Sequence, residues 1–315
     1  MNNTTDISII VPIYNCENYI EECILSLLSQ QGITSELIFI NDGSTDNSTT
    51  IINKYKMQYK NIILIEQENQ GPAVARNKGI EIAKGTYTLF VDADDTIINN
   101  SLGQILHEAN KEYIEILQLT HYIKSHNQIK PRNIYSFKKT TNGIKYFKTM
   151  QEKRCLIAGT FNHLIRTEFL KRLPFRFDKN LRRCQDLDFF IKAILKAKYI
   201  KNFTIPYYIY NLNTPTGGYN SRQNNTLIFE CYHRIRRNFQ KFAKNEQFGP
   251  EINEKLQYLI CTHVYGYENN VLNSLPYWTK KFWLMFILKY IFHNKGWLRP
   301  WLWIKFFQLR KMIKT

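Results

Sequence analysis

No acidic residue follows Glu268, and no tryptophan precedes Trp278. The longest apolar stretch near the end, 282–292, runs 11 residues with Lys289 inside it. As a helix it would reach about 16 Å. A bilayer needs about 20 residues, so a spanning segment is excluded there. The six cysteines (Cys16, Cys23, Cys155, Cys184, Cys231, Cys261) form no CxxC pair and no Cys/His cluster with zinc spacing. Buried, reduced, structural thiols are expected. The N-terminal stretch MNNTTDISIIVPIYN lacks a basic region followed by an apolar run and a small-residue cleavage site, which predicts a cytosol-facing protein. Internal repeats and low-complexity tracts are absent. So is an early glycine-rich, arginine-containing phosphate loop, which argues against nucleotidyl transfer.

The 315 residues suit one large domain, or a domain with an appendage. The net charge of +17 has two sources. Nine basic residues lie beyond position 272, leaving 34 basic against 26 acidic in the rest, or +8. Such an excess fits nucleic acid, anionic lipid or an anionic substrate. The basic end is too apolar for a solvated nucleic-acid arm, and the body carries no nucleic-acid motif.

Apolar runs at 7–14, 36–40, 61–65 and 87–91 alternate with helical periods at 19–31, 48–59 and 72–83. Pro72 suits the first turn of its helix. This pattern predicts an α/β fold, a mostly parallel sheet flanked by helices. Ligands of such sheets bind beyond the carboxyl ends of the strands. The polar clusters fall there: Asn15, Asn41-Asp42-Gly43 and Asp92–Asp95. Further on, a strand is expected over 114–123, helices over 143–153 and 186–198, and short strands over 199–203 and 207–210. The segment 211–225, with its two glycines, a proline and five asparagines, reads as a mobile loop. From residue 226 the pattern is mostly helical.

Asp92-Ala93-Asp94-Asp95 places three carboxylates in four residues at a strand end. They repel one another, so a cation is expected nearby. Hard oxygen ligands with open positions suit Mg²⁺ or Mn²⁺. In an extended chain Asp92 and Asp94 would share one side. The alternative is that Asp95 or Thr96 caps a helix beginning near Ile97. In Asn41-Asp42-Gly43-Ser44-Thr45-Asp46, Gly43 permits a tight turn and Asp46 can cap the following helix. Asp42 could accept a hydrogen bond from a nucleobase imide, or the segment could be a solvated loop.

Four stretches in order settle the comparison: Ser8-Ile9-Ile10-Val11-Pro12-Ile13-Tyr14-Asn15; Glu36 through Asp46; Asn69-Gln70-Gly71-Pro72-Ala73-Val74-Ala75-Arg76-Asn77; and Gly85 through Asp95. Over about residues 7–96 the sequence resembles the inverting, GT-A-fold glycosyltransferases of family 2, among them bacterial surface-polysaccharide and lipopolysaccharide transferases. The resemblance implies a Rossmann-like nucleotide-binding half. It implies that Pro12, Tyr14 and Asp42 hold the nucleobase, usually uracil. Arg76 would lie near the pyrophosphate, Asp92 would contact the ribose or sugar, and Asp94 would ligate Mn²⁺ or Mg²⁺. Relatives carry the general base in a Glu-Asp pair before a helix, about 90 residues further on. Here Cys184-Gln185-Asp186-Leu187-Asp188 stands at that place. Asp186 is the expected base, with Asp188 its competitor, and Gln185 replaces the usual Glu. His163 reads as a structural histidine. A loop around Tyr219 and Arg222 could close over the donor.

The expected organisation is a catalytic region, 1–225, with a nucleotide-sugar half (1–100) and an acceptor half (101–225). A helical region, 226–315, follows and ends in a basic aromatic tail, 277–315. Tryptophan with Lys/Arg and no acids suits an interfacial helix on an anionic membrane. The alternative is a helical pair packed on protein. The partners expected are a nucleotide-sugar donor, a glycan or lipid-linked glycan acceptor and the inner membrane face, with no nucleic acid. An inactive nucleotide-sugar-binding scaffold is the competing function.

Overall fold

The computed structural model describes residues 5–126, 128–132, 135–137, 139–153, 155–156, 158–214 and 225–265, with the isolated positions 284, 285, 307 and 310. The basic tail and the loop around Tyr219 and Arg222 therefore lie outside the described residues, those four positions excepted. Contacts divide the chain into two units, Met1–Ser221 and Arg222–Thr315.

The first unit opens with strict alternation: β1 (Ile7–Ile13), α1 (Ile20–Leu28), β2 (Ser35–Asp42), α2 (Ser48–Lys56), β3 (Ile62–Gln67), α3 (Pro72–Ile82) and β4 (Tyr87–Phe90). β1 and β4 are mainly apolar because both faces are covered; Ser8 and Thr88 are buried with their neighbours, and only Pro12 in them is half-buried. β1 pairs parallel with β2 on one side, Ile10 opposite Ile38, and with β4 on the other, Ile10 opposite Phe90. One core lies under Ile9, Phe39, Leu89 and α1. On another side Phe90, Phe177, Phe189 and Phe190 form an aromatic cluster, Phe177 stacked on Phe189 at 4.0 Å.

Then come β5 (Thr96–Ile97), α4 (Leu102–Asn110), β6 (Ile116–Gln118), β7 (His121–Ser125), β8 (Gln128–Pro131) and α5 (Gly143–Glu152). A 3₁₀ turn (Thr160–Asn162) leads into β9 (His163–Arg166), α6 (Thr167–Arg172), α7 (Gln185–Lys196), β10 (Ile200–Asn202) and β11 (Tyr208–Asn211). The large sheet has the order β10-β6-β9-β4-β1-β2-β3 and is parallel except for β9. A second sheet, β5-β11-β7-β8, stands at its carboxyl end. The strand expected over 114–123 is two strands, one in each sheet. Leu119 and Thr120, buried between them, bond to Asn162 O and Arg132 O, so burial continues while the pairing partner changes. The helix expected near Ile97 is likewise absent: Ile97 pairs with Tyr208 in β5–β11, and α4 starts at Leu102.

In the second unit, α8 (Asn225–Asn245) and α9 (Pro250–Tyr265) pack together, burying Ile235, Phe239, Leu256 and Ile260. Among the described residues no helix is long and apolar enough to cross a membrane. The five described cysteines are thiols; Cys16, Cys23 and Cys231 are buried as expected, whereas Cys155 and Cys184 are half-exposed.

Candidate active site

β1 and β2 end in register, Ile13 opposite Asn41, so the segments that follow them meet. Asn15, in the left-handed region at φ 47°, accepts from Thr45 N (2.8 Å), and its own amide donates to Ser44 Oγ (3.1 Å). Glu17 N donates to Asp46 Oδ2, and Asn47 N donates to Glu17 Oε2 (2.9 Å each). The NDGSTD segment is thus tied to its neighbour, with Thr45 left exposed. Asp46 stands one place before the cap position, Asn47, and its Oδ1 accepts from Ser48 N. Gly43 at φ 73° lies against Asn69 N, where a Cβ would be 3.0 Å away. Asp42 is buried at the end of β2 and accepts from Gln67 Nε2 (2.7 Å), Gln70 N and Gly71 N (2.8 Å each). It thereby fixes the turn into α3. Tyr14 beside it is 51% exposed, its ring presented at the sheet's carboxyl end, and Pro12 is half-buried below.

After β4 the chain turns instead of extending: Asp95 N donates to Asp92 O (3.1 Å). The alternation argument for Asp92 and Asp94 therefore does not apply, and their roles separate. Asp92 Oδ1 pairs with Arg76 Nη2 (2.9 Å), its Oδ2 accepts from Thr160 Oγ1 (3.3 Å), and its amide donates to Tyr208 OH (3.1 Å). Asp94 Oδ2 accepts from Thr214 Oγ1 (2.7 Å). Asp95 is buried and caps nothing. It accepts from Tyr208 OH and Asn211 N (2.7 Å each), fastening the second sheet. Burial and its two acidic neighbours hold its carboxyl well above the usual range.

Arg76, on α3, is almost fully buried. While Nη2 holds Asp92, Nη1 donates to Gln185 Oε1 (3.3 Å), and the guanidinium lies 5.7 Å from the centre of the Phe177 ring. Gln185 Nε2 donates to Leu181 O (2.6 Å). Gln185 opens α7 after Cys184 in the left-handed region (φ 55°), and Asp186 follows it, half-buried. Burial raises the Asp186 carboxyl; the Leu187 amide and the Arg76 charge oppose that rise. Two side chains 109 residues apart in sequence thus join the carboxylate turn to the helix that carries Asp186.

The same fold carries a family signature over its first half. The model of glycosyl transferase family 2 matches residues 8–173, more than half of the chain. The chain belongs to glycosyl transferase family 2. It is 34% identical over 214 residues to the uncharacterized glycosyltransferase EpsJ of Bacillus subtilis, covering 66% of this chain and 61% of that one. It is 33% identical over 198 residues to a poly(ribitol-phosphate) beta-glucosyltransferase of Bacillus spizizenii, covering 62% and 30%. The chain thus spans less than two thirds of the length of these relatives. Its fold is shared with S. aureus TarS (TM-score 0.71, 21% identity, 99% of this chain and 54% of that chain). TarS 1–349 in complex with UDP-GlcNAc gives 0.63 at 20% identity, over 88% and 83%. At this identity the likeness shows the fold alone, and the mixed, mostly parallel sheet of this chain is of the GT-A class.

Asp188 is fully buried and pairs with Lys192 at 2.6 Å. His163 is fully buried, stacked on Phe190 at 4.1 Å, with Nδ1 3.0 Å from Gly159 O. Burial lowers it to about 3, so it is neutral at physiological pH. Sequence reasoning missed Thr160, Tyr208 and Thr214, which bond to Asp92 and Asp94 across 68, 116 and 120 residues. No local pattern marks them, because the second sheet delivers Tyr208 and Thr214.

Proposed function

We propose that this chain is an inverting transferase that moves a sugar from a UDP-sugar to a hydroxyl of a glycan or glycolipid acceptor in bacterial surface-polymer synthesis. The observation that carries this reading is the contact series Asp92–Arg76–Gln185, which brings Asp186 to the same end of the sheet as the Asp92–Asp95 turn. The solved complex of TarS with UDP-GlcNAc supports the donor class, and the poly(ribitol-phosphate) beta-glucosyltransferase relative supports the acceptor class.

In this reading Tyr14, Pro12 and Asp42 form the nucleobase side, and Asp92, held by Arg76, orients the ribose or sugar. Asp186 takes the proton of the acceptor hydroxyl as its oxygen bonds to the anomeric carbon and the bond to the diphosphate breaks. The attack comes from the face opposite the leaving group, which inverts the anomeric centre. Asp94 offers a hard oxygen ligand of the kind Mn²⁺ or Mg²⁺ takes. Among the described residues no three His, Cys, Asp or Glu are arranged to hold a cation alone, so donor phosphates would complete the coordination. When bound there, the ion supplies neutralising charge for the departing nucleoside diphosphate.

We further assign residues 1–225 to donor and acceptor binding and 226–315 to a helical region whose tail, 277–315, meets anionic lipid at the cytoplasmic membrane face. Flotation with phosphatidylglycerol vesicles, but not phosphatidylcholine vesicles, is expected, and it should be lost on deleting 277–315. Equal flotation of the truncated chain would remove the tail from this role.

The reaction is tested by nucleoside diphosphate release from UDP-, GDP- and dTDP-sugars with Mn²⁺, with and without EDTA, in the wild type and Asp94→Ala. Release from one donor is expected, abolished by EDTA and reduced about 100-fold or more in the variant. No release together with no nucleotide binding in calorimetry would refute the enzyme assignment.

A further inference from the structure

Gln185 occupies the position where the resembling enzymes carry Glu, yet its surroundings are built for a carboxamide. One end of the side chain must donate, because it faces the Leu181 carbonyl oxygen at 2.6 Å. The other must accept, because it faces Arg76 Nη1 at 3.3 Å. Gln meets both demands at once, and only with the amide nitrogen toward Leu181. An ionised Glu would set one carboxylate oxygen against a carbonyl oxygen. The side chain is almost completely buried, so water cannot relieve that conflict.

The charge balance points the same way. Arg76 is buried, and its one ion pair in this cluster is with Asp92 at 2.9 Å. With a neutral partner at 185, the trio Asp92, Arg76 and Gln185 sums to zero. A carboxylate there would leave it at −1, directly beside Asp186. Arg76 from α3 and Asp92 from the turn after β4 act on Asp186 with opposite sign. On its own helix Asp188 is matched by Lys192, and Arg182 and Arg183 precede it in the chain.

We propose that Gln185 is a positioning residue that acts through Arg76 and Asp186: its carboxamide locks the guanidinium onto Asp92 and keeps a second negative charge away from the general base. This rests on the assignment of Asp186 as base. The site has thereby exchanged an acid for an amide and retains its catalytic carboxylate.

The test uses the whole chain, with Mn²⁺ and the donor sugar that the release assay selects. Loss of turnover in Asp186→Asn establishes the underlying reading; if Asp186→Asn is fully active, that reading fails before Gln185 is considered. Given that loss, Gln185→Glu is expected to shift the acidic limb of the kcat/KM profile upward by about one pH unit and to lower kcat/KM about tenfold at pH 6.5. Gln185→Met, neutral and of similar length, is expected to lower kcat about tenfold with the limb in place. Should Gln185→Glu fail to fold by circular dichroism, Gln185→Met still decides the positioning role. A wild-type kcat in Gln185→Met, or an unmoved acidic limb in a folded Gln185→Glu, overturns the proposal.

Discussion

Asp186 and Asp188 lie two residues apart on one helix, and their surroundings separate them. Asp186 is half-buried, with a proton affinity raised by desolvation and moderated by Arg76. A base must be ionised to act, so activity should rise with pH through a value above the ordinary 3.8 of an aspartate. Asp186→Asn keeps the shape and removes the proposed base; kcat is expected to fall by about 10²–10⁴ with little change in the KM for donor. Steady-state kinetics over a pH series reads both effects, and a kcat within threefold of wild type would exclude Asp186. Asp188 makes the opposite case. Removing it leaves the Lys192 ammonium, which is 9% exposed and 4.9 Å from the Phe175 ring centre, without its ion-pair partner. Asp188→Ala should cost about 3–5 kcal/mol in urea unfolding, while turnover per folded molecule persists.

Helices and strands show how far the residue pattern reaches. β1, β2 and β4 were legible because each is a short, mainly apolar run buried within the sheet, and β3, half-buried at its edge, still carries the apolar Ile62–Ile65 run; the polar residues after the strands fall at the carboxyl end. The pattern failed where two sheets share one apolar stretch. Leu119 and Thr120 are buried like their neighbours, so nothing in hydropathy shows that the chain leaves one sheet for the other. It failed again at Asp95, whose partners Tyr208 and Asn211 lie more than 100 residues away in sequence. Asp42, Arg76 and Asp92 stand out in the sequence as candidate site residues, but the joining of Arg76 to Asp92 and Gln185 does not, since the contact is purely tertiary. The packing of α5 on α7 carries a prediction at this scale. Gly143, the first residue of α5, lies so close to α7 that an added Cβ would overlap the Ile194 carbonyl. Backbone cannot yield as a flexible side chain can. Gly143→Ala should therefore destabilise the protein by about 1–3 kcal/mol, measured by chemical denaturation. A wild-type midpoint would mean that the two helices separate freely.

At the scale of the molecule, two histidines are buried among the described residues, and both bear on how it responds to acid. His163 on β9 and His121 on β7 are both buried, and desolvation lowers them to about 3 and about 4 from an ordinary value of 6.5. Arg132 contributes to the shift at His121. In each case the unfolded chain takes up a proton below pH 6.5 while the folded protein does not. The stabilisation is therefore complete above that pH and is lost as the pH falls toward the folded values. Each pH unit inside the window costs about 1.4 kcal/mol per histidine, so each removes about 2 kcal/mol between pH 6.5 and 5. Asp95 and Asp186, raised by burial, act with the opposite sign, so the net slope of the wild type mixes both. Comparison with His163→Phe isolates one histidine. The new ring can keep the stacking on Phe190 and forgoes only the contact to Gly159 O. Its stability should be lower than that of wild type at pH 7.5, yet its loss between pH 7.5 and 5 should be smaller by about 2 kcal/mol. Urea unfolding at the two pH values measures the difference. Parallel losses in the two proteins would mean that His163 takes up its proton in the folded state, and the dry, stacked environment described for it would be wrong.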